Sequence, residues 1–197
     1  MRKSSAIVMA LAFFAMAMAK PIKAQEQPSK FEVYGGYYYA RFNVNASNAG
    51  GTPSETFNGN GGGGQFEYNA NHWLGVVGDL AGYGATSTSN GALVGGAFTY
   101  LFGPRVNFRI GGASGKFTPF VQALFGGIYT TDGIGQSGSE NNFAMTAGGG
   151  IDFRVSSHVS IRPVEAEYFM TKIPDGLNNR QNNLRIGAGI VVRLGRE

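Results

Sequence analysis

The sequence predicts an all-β protein, an eight-stranded antiparallel up-and-down transmembrane β-barrel. The clearest observation is the stretch 183–194, NLRIGAGIVVRL, in which every even position is apolar and the odd positions are mostly polar or small. Alternation with a period of two is typical of a strand with two unlike faces. The stretch is longer than an ordinary soluble strand of about 5–6 residues and suits a bilayer-spanning strand, which needs about 9–11. Taken alone, it could also be a long strand of a soluble sandwich.

The N-terminus is the second observation, because it predicts export. Arg2 and Lys3 precede an uncharged apolar run at 6–19, and candidate cleavage sites follow Ala24 and Ala19. This pattern predicts a secretory signal peptide over 1–24 and one β-barrel domain over 25–197. The run is too short to cross a bilayer as a helix, and no later run is long enough. A chain that crosses a membrane without helices does so as a closed barrel.

Charge and cysteine content exclude several classes of protein. Four of the 16 basic residues lie in the predicted signal peptide, which has no acid, so the remaining 12 balance the 12 acids. The basic balance of the whole chain is therefore no argument for a nucleic-acid partner. The absence of cysteine excludes a disulfide framework and any thiolate metal or redox site.

Eight segments carry strand patterns. The predicted strands span 31–44, 63–68, 73–83, 92–106, 117–131, 143–155, 159–172 and 183–194. Long connections rich in Gly, Ser and Asn at 45–60, 84–91, 132–142 and 173–181 alternate with shorter turns at 69–72, 109–116 and 156–158. This asymmetry is the third observation, since membrane barrels have long loops on one side and short turns on the other.

Charged side chains select the inner face of the first three strands. Glu32 indicates that its face of the strand 31–44 is the inner one, although a run of tyrosines makes both faces partly apolar. Glu67 and Asp79 orient the second and third strands in the same way, because the interior of a membrane barrel is polar and its outer band is apolar.

Strands four to six place aromatic and aliphatic side chains on their outer faces. The predicted outward residues include Phe98, Tyr100, Phe102, Val121, Phe125, Tyr129, Phe143, Met145, Ile151 and Phe153. Gln122, Asp152 and Arg154 then face inward. Pro119 is expected at a strand end or a bulge, since proline cannot donate to a ladder.

The seventh strand needs one irregularity. Val164, Ala166, Tyr168 and Met170 are predicted to face outward, opposite Glu165 and Glu167. Val159 and Ile161 have the wrong parity for that outer face, and a bulge at Pro163 would restore the register. On the last strand, Arg185 and Arg193 face inward.

Aromatic residues also collect near the predicted strand ends. They are Tyr68, Trp73, Phe102 and Phe153 toward the turns, and Tyr39, Tyr83, Tyr129 and Phe143 toward the loops. Two such groups are typical of the aromatic girdles at the membrane interfaces. Any β-protein also holds aromatic residues, which is the alternative explanation.

Several segments resemble the outer-membrane β-barrel family related to the transmembrane half of OmpA, in its small single-domain form. They are FEVYGGYYYARFN, NHWLGVVGDLAGYG, FTYLFGPR, FTPFVQALFGG and IRPVEAEYFMT, and the resemblance covers most of 31–195. It implies an OmpA/OmpX-like barrel in a Gram-negative-type outer membrane, with both termini in the periplasm. The chain departs from the family in two ways. It ends on 193–197, RLGRE, so we expect Leu194 to stand in for the aromatic residue that helps recruit the assembly machinery, and we expect no peptidoglycan-binding domain.

The predicted inner faces collect a polar network. Its members are Glu32, Glu67, Asp79, Asp152, Arg154, Glu165, Glu167, Arg185 and Arg193. A proton or ion path is one interpretation. The other is a set of salt bridges that satisfies the barrel interior, because a buried charge without a partner is costly.

Catalytic and ligand-binding alternatives have little support in the sequence. A lipid-modifying enzyme of the outer membrane would need a histidine near a serine and an acid, but His72 and His158 both fall in predicted periplasmic turns, and only Ser156 and Ser157 adjoin one of them. Two isolated histidines and no DxDxDG-type loop predict no metal site, and no cofactor is expected. A soluble lipocalin-like barrel conflicts with the apolar outward stripes.

We therefore predict a non-enzymatic outer-membrane barrel without an open pore, with a structural or surface-interaction role of the adhesion type. A lipid-modifying enzyme or a small channel is the alternative. The expected partners are outer-membrane lipids, including lipopolysaccharide, and the barrel assembly machinery, with no nucleic acid. We expect a monomer.

Overall fold

A computed structural model describes residues 28–44, 55–87, 93–112, 115–131, 140–173 and 180–195. The strands are β1 (Phe31–Val44), β2 (Glu55–Asn69), β3 (Leu74–Ser87), β4 (Leu93–Asn107), β5 (Phe117–Thr130), β6 (Glu140–Arg154), β7 (Val159–Thr171) and β8 (Gln181–Leu194). Each strand pairs antiparallel with the next, and β8 pairs with β1, so the sheet closes into a barrel. This confirms the predicted fold class. The described ranges contain no helix long and apolar enough to cross a membrane.

The second strand is much longer than the sequence predicted. Residues 55–60, assigned to a loop, continue β2; all six pair with β1, and 57–60 also pair with β3. The strand lacks a visible alternation because its inward positions in this part include Gly59 and Gly61. The opposite face of this part of β2 is joined to β1 by side-chain hydrogen bonds. Tyr39 Oη donates to Asn58 Oδ1 (2.8 Å), and Tyr37 Oη donates to Asn60 Oδ1 (2.5 Å).

The connections define two ends of the barrel. The turn end carries the start of β1, the end of β8 and the connections 70–73, 108–116 and 155–158, whereas the loop end carries 45–54, 88–92, 131–139 and 172–180. The asymmetry is weaker than predicted, because β3 continues through 84–87 and leaves only 88–92 before β4. The predicted loops at 132–142 and 173–181 are also shorter, since 140–142 belong to β6 and 181 to β8.

The two faces of the wall match the predicted alternation closely. On β8 the even positions from Leu184 to Leu194 are exposed, whereas Arg185, Val191 and Arg193 are buried. On β1 the face marked by Glu32 is the inner one. The outer surface is therefore apolar, as expected of a wall that faces lipid.

The bulge predicted at Pro163 is present in β7. Opposite β8 the register shifts between Arg162 and Glu165, and opposite β6 it shifts between Ile161 and Val164. One extra residue in β7 therefore leaves Ile161 and Val164 both on the outer face while Arg162 and Glu165 both face inward. The predicted repair of the register is confirmed.

Inward glycines make room for the tyrosines of β1. Tyr34 and Tyr38 pack inside with ring centroids 5.8 Å apart. A Cβ at Gly187 would lie 2.5 Å from Tyr38 Cε1, and one at Gly36 would clash with Tyr34 Oη and the Ala188 carbonyl. Glycine is thus required at these positions by close approach rather than by backbone conformation.

Two side chains depart from the predicted outer face. Tyr83, assigned to the loop-end girdle, is only 4% exposed and lies inside the barrel. Its odd position on β3 gives it the same parity as the inward Asp79. Met170 has outward parity on β7 but is largely covered, at 8% exposed. The other assigned girdle residues are exposed, apart from Tyr39, which is half-buried.

Candidate functional site

The barrel interior is the candidate site, because most ionisable side chains of the described strands lie there. Eight of the nine predicted network residues have buried side chains, namely Glu32, Glu67, Asp79, Asp152, Glu165, Glu167, Arg185 and Arg193. Arg154 is half-buried at the turn end of β6. The closed sheet brings together acids and bases that are far apart in sequence.

Three further arginines enter the interior and were missing from the predicted network. Arg105 has the inward parity of β4, which was a usable signal. Arg162 faces inward once the bulge predicted at Pro163 turns Ile161 outward, so that prediction was also a usable signal. Arg109 lies beyond the end of β4 and reaches back into the turn end, a position that strand periodicity does not predict.

Arg185 binds two carboxylates at the centre of the interior. Its Nη1 and Nη2 donate to the two oxygens of Asp79 at 2.8 and 3.1 Å, and its Nε donates to Glu167 Oε2 at 2.5 Å. The guanidinium carbon lies 4.6 Å from the ring centroid of Tyr38. This side chain and both acids are essentially without solvent contact. Each charge is therefore stabilised by its protein partners rather than by water.

Arg162 forms a second group on the β6–β7 side of the barrel. Its Nε and Nη2 donate to the two carboxylate oxygens of Asp152 at 2.7 and 3.0 Å, a bidentate pair. Its Nη1 donates to Glu165 Oε2 at 3.0 Å and to Gln65 Oε1 at 2.7 Å.

Arg105 forms a third group, and two glutamines join it to the others. Arg105 Nη1 donates to Glu67 Oε2 at 2.8 Å, and Arg105 Nε donates to Gln122 Oε1 at 2.8 Å. Gln122 Nε2 in turn donates to Glu165 Oε1 and Glu167 Oε1 at 2.7 and 2.8 Å.

Gln65 makes comparable bridges. Its Nε2 donates to Asp79 Oδ2, to Glu165 Oε1 and to Tyr38 Oη at 3.0, 2.8 and 2.9 Å. Neutral amides supply both donors and acceptors, so they connect carboxylates to guanidinium groups without adding charge.

The turn end of the interior closes around Glu32. Arg109 Nη2 lies 3.2 Å from Glu32 Oε1, and Arg193 Nε lies 3.8 Å from the same oxygen. Asn69 Nδ2 also donates to this carboxylate at 3.1 Å. Acids and bases are thus paired along the polar part of the interior.

Aromatic rings separate the guanidinium groups. The Phe120 ring has the carbon of Arg105 at 4.2 Å and that of Arg162 at 4.3 Å from its centroid. Arg162 also lies 4.5 Å from the Tyr34 centroid. Cation–π contacts of this kind are strongest when water is excluded, and they fill the cross-section of the barrel with side chains.

Toward the loop end the interior becomes mainly apolar, although a few buried polar side chains such as Gln181 and Asn183 remain. Phe42 packs edge-on against Tyr83 and Phe169, with ring centroids 6.0 and 5.8 Å apart. Other buried members of this apolar layer are Phe57, Ala85, Ala97, Ile128, Ala144 and Ile173. The interior therefore consists of a charged, hydrogen-bonded part toward the turn end and a mainly apolar layer toward the loop end.

The described residues offer no assembled catalytic or metal site. His72 and His158 are exposed in connections at the turn end. His158 Nδ1 lies 2.8 Å from Ser157 Oγ, a contact between neighbours within one turn, and Ser156 Oγ accepts the backbone N–H of Val159 at 3.1 Å. No group of three or more His, Cys, Asp or Glu residues in these ranges could hold a metal ion.

Comparison with known proteins agrees with this architecture. The family model described as "Outer membrane protein beta-barrel domain" matches residues 5–191. Neisserial surface protein A is similar in structure, with a TM-score of 0.58, 17% identity, and coverage of 84% of this chain and 98% of that one. The outer-membrane protein OprG of Pseudomonas aeruginosa has a TM-score of 0.54, 12% identity, and coverage of 87% and 98%.

No curated protein matches the chain. The structural likenesses are too distant in sequence to show more than the fold, and the family match extends over nearly the whole chain. The chain belongs to the outer-membrane protein β-barrel family, whose members lie in the outer membrane of Gram-negative bacteria.

Proposed function

We propose that this chain is an outer-membrane barrel without an open pore, with a structural or surface-interaction role of the adhesion type presented at its loop end. The observation that carries the proposal is the filled interior. Guanidinium groups, carboxylates and rings occupy the part toward the turn end, and the apolar layer around Phe42 and Phe169 lies between them and the loop end. An eight-stranded barrel is just wide enough for its own side chains.

The pairing of the interior charges supports a structural role for them. Each inward carboxylate of the network has a guanidinium or amide partner, as in Arg185 with Asp79 and Arg162 with Asp152. A proton or ion path needs water along its length, which the apolar layer opposes. The similar neisserial protein is described as a surface protein, in agreement with a role at the cell surface.

The proposal includes the absence of enzymatic activity. The histidines lie at the turn end, away from the loop end, and the Ser157–His158 contact joins two neighbours in an exposed turn. A lipid-modifying enzyme would need an acid oriented toward that histidine within a shielded pocket.

Planar-bilayer recordings of the purified barrel test the absence of a pore. The wild-type chain should give at most small, rare openings. Replacing Phe42 and Phe169 with alanine thins the apolar layer and should make such openings more frequent. The matched control replaces the lipid-facing Phe125 and Phe143 with alanine and should leave the recordings unchanged. Steady nanosiemens-scale channels from the wild-type barrel would contradict the proposal.

Cell adhesion tests the surface role. Cells that carry the chain should adhere to host-cell or matrix surfaces more than cells whose barrel has 45–54 and 132–139 replaced by short Asn-Gly turns. Both barrels should keep the heat-dependent gel mobility of a folded membrane barrel. Equal adhesion by the two strains would leave the chain with a structural role only.

We also propose that 1–24 is a cleaved signal peptide and that the monomeric barrel is inserted by the assembly machinery. Arg2, Lys3 and the apolar run at 6–19 support export, although these residues lie outside the described ranges. Mass spectrometry of the purified barrel should give a chain that begins near Gln25, and an intact Met1 would show that no cleavage occurs.

A further inference from the structure

We infer that the turn end of the barrel interior binds a small soluble oxyanion of the phosphate type through Arg193 of β8 and Ser160 of β7. We call these two side chains the mouth pair. Both residues are buried, since Arg193 is 5% and Ser160 0% exposed. In the orientation expected from the sequence, with both termini in the periplasm, this end of the barrel faces the periplasm.

Arg193 is the exception among the buried guanidinium groups of the interior. Arg105, Arg162 and Arg185 each donate four hydrogen bonds to surrounding side chains. In the part of the chain that the structure describes, no acceptor lies within hydrogen-bonding distance of the Arg193 guanidinium, and its Nη1 is buried without a partner. Its Nε lies 3.8 Å from Glu32 Oε1, an ion pair too long for a hydrogen bond.

The carboxylates at this end each have a closer guanidinium partner than Arg193. The pairs are Glu67 with Arg105 at 2.8 Å, Asp152 with Arg162 at 2.7 Å and Glu32 with Arg109 at 3.2 Å. Arg193 therefore shares one carboxylate that another arginine holds more closely. A buried donor without an acceptor is costly, so a ligand that supplies acceptor oxygens to Arg193 is favoured.

Ser160 supplies a second unpartnered group at the same place. Its Oγ is buried and has no hydrogen-bond partner among the described residues. Ser160 pairs in register with Val191, and Arg193 lies two residues further along β8, so the mouth pair are diagonal neighbours on the inner face of one ladder. Diagonal neighbours are about 7–8 Å apart, within reach of a long side chain. Two buried donors without partners thus face the same part of the interior.

The charge around the mouth pair favours an anion. Arg154 stands opposite Ser160 in the β6–β7 ladder, and its backbone N–H donates to the Lys116 carbonyl at 2.9 Å. Lys116 and Lys30 are exposed at this end, whereas the carboxylates that the structure describes there are buried. A region lined by one sign of charge raises the local concentration of small ions of the opposite sign.

A phosphate-type oxyanion is the ligand that this chemistry favours. A guanidinium binds an oxyanion with two parallel N–H donors, and a hydroxyl supplies a third. Acetate has two oxygens, both of which the guanidinium of Arg193 would use, whereas phosphate keeps further oxygens for Ser160. A lipid headgroup does not fit, because the mouth pair face the inside of a closed sheet, while their exposed neighbours Ile161 and Val192 face lipid.

The test measures the binding of inorganic phosphate to the folded barrel by titration calorimetry, in octyl glucoside micelles at constant ionic strength. Phosphate should bind the wild type at least about tenfold more tightly than acetate does. Arg193→Gln and Ser160→Ala should each weaken phosphate binding at least about tenfold, because each removes a hydrogen bond to a charged group. The matched control, Lys116→Gln, removes one positive charge from the same end and should change the affinity less than about twofold.

Two further arms guard against misfolding and a lipid source. Heat-dependent gel mobility verifies that each variant is folded, and if Arg193→Gln does not fold, Ser160→Ala, which removes no charge, carries the test. Short-chain phosphatidic acid should not compete with phosphate. Wild-type phosphate binding no stronger than that of chloride would show that water alone satisfies the mouth pair and would overturn the inference. Unchanged binding by Ser160→Ala, an equal loss in Lys116→Gln, or competition by the lipid would overturn it as well.

Discussion

Arg185 holds two carboxylates of the barrel interior, those of Asp79 and Glu167, and its side chain has no contact with solvent. A buried ion pair adds little net stability compared with apolar residues, because both charges are removed from water. Loss of one partner is different, since it leaves the other charge buried without compensation.

Replacement of Arg185 by leucine should therefore lower the free energy of unfolding by about 3–5 kcal/mol. The measurement is urea unfolding of the barrel in lipid vesicles, followed by the fluorescence of Trp73, the only tryptophan. Asp79→Asn should also destabilise, and the double variant should lose less than the sum of the two single losses. Strictly additive losses would show that Arg185 and Asp79 are not coupled.

At the scale of the element, β7 shows how one irregular residue keeps two faces in order. Its ladders with β6 and β8 each shift by one residue around Pro163. Without Pro163, Arg162 would be followed directly by Val164, and the in–out alternation would run unbroken from Val159 to Thr171. The bulge therefore accommodates the extra residue, Pro163, and without that residue the side chains of β7 would still face the same way.

Deletion of Pro163 should thus be tolerated, at a cost below about 3 kcal/mol. Deletion of Ala147, a small outward residue in the regular ladder of β6, should abolish folding, because a shift of one residue moves half of that strand's side chains to the wrong face. Heat-dependent gel mobility after refolding distinguishes the two. An unfolded Pro163 deletion would mean that the bulge has another role, and a folded Ala147 deletion would contradict the register argument for β6.

At the scale of the whole molecule, the exposed apolar residues together form an outer wall that suits a lipid environment, rather than occurring singly on the surface. Ile190 lies centrally in the exposed stripe of β8 and is 53% exposed, and Leu194 at its turn end pairs with Phe31. The free-energy cost of a charged side chain on this wall should therefore depend on its depth in the bilayer.

Ile190→Arg should cost about 2–4 kcal/mol and Leu194→Arg about 0–1 kcal/mol, because the penalty for a lipid-facing arginine is greatest at the bilayer midplane and falls near the interfaces. Urea unfolding in vesicles of defined thickness gives both values. Similar costs at the two sites would place Ile190 away from the midplane, and two harmless substitutions would show that this wall does not face lipid.

Local periodicity determined much of this protein without the tertiary structure. The alternation in 183–194 and the charges of Glu32, Glu67 and Asp79 identify the faces, because the period of two is a property of the strand itself. Even the bulge at Pro163 follows from the wrong parity of Val159 and Ile161. What these signals have in common is that each depends on residues close together in the chain.

Only the closed sheet decided which groups meet. Asp79 of β3 binds Arg185 of β8, 106 residues further along, and no local pattern encodes that pairing. The same holds for residues 55–60, which form a strand because β1 and β3 supply its ladder partners, and for Arg109, which reaches Glu32 from beyond the end of β4. The alternation sets the direction of each side chain, whereas ring closure and stagger set its neighbours, and these depend on all eight strands at once.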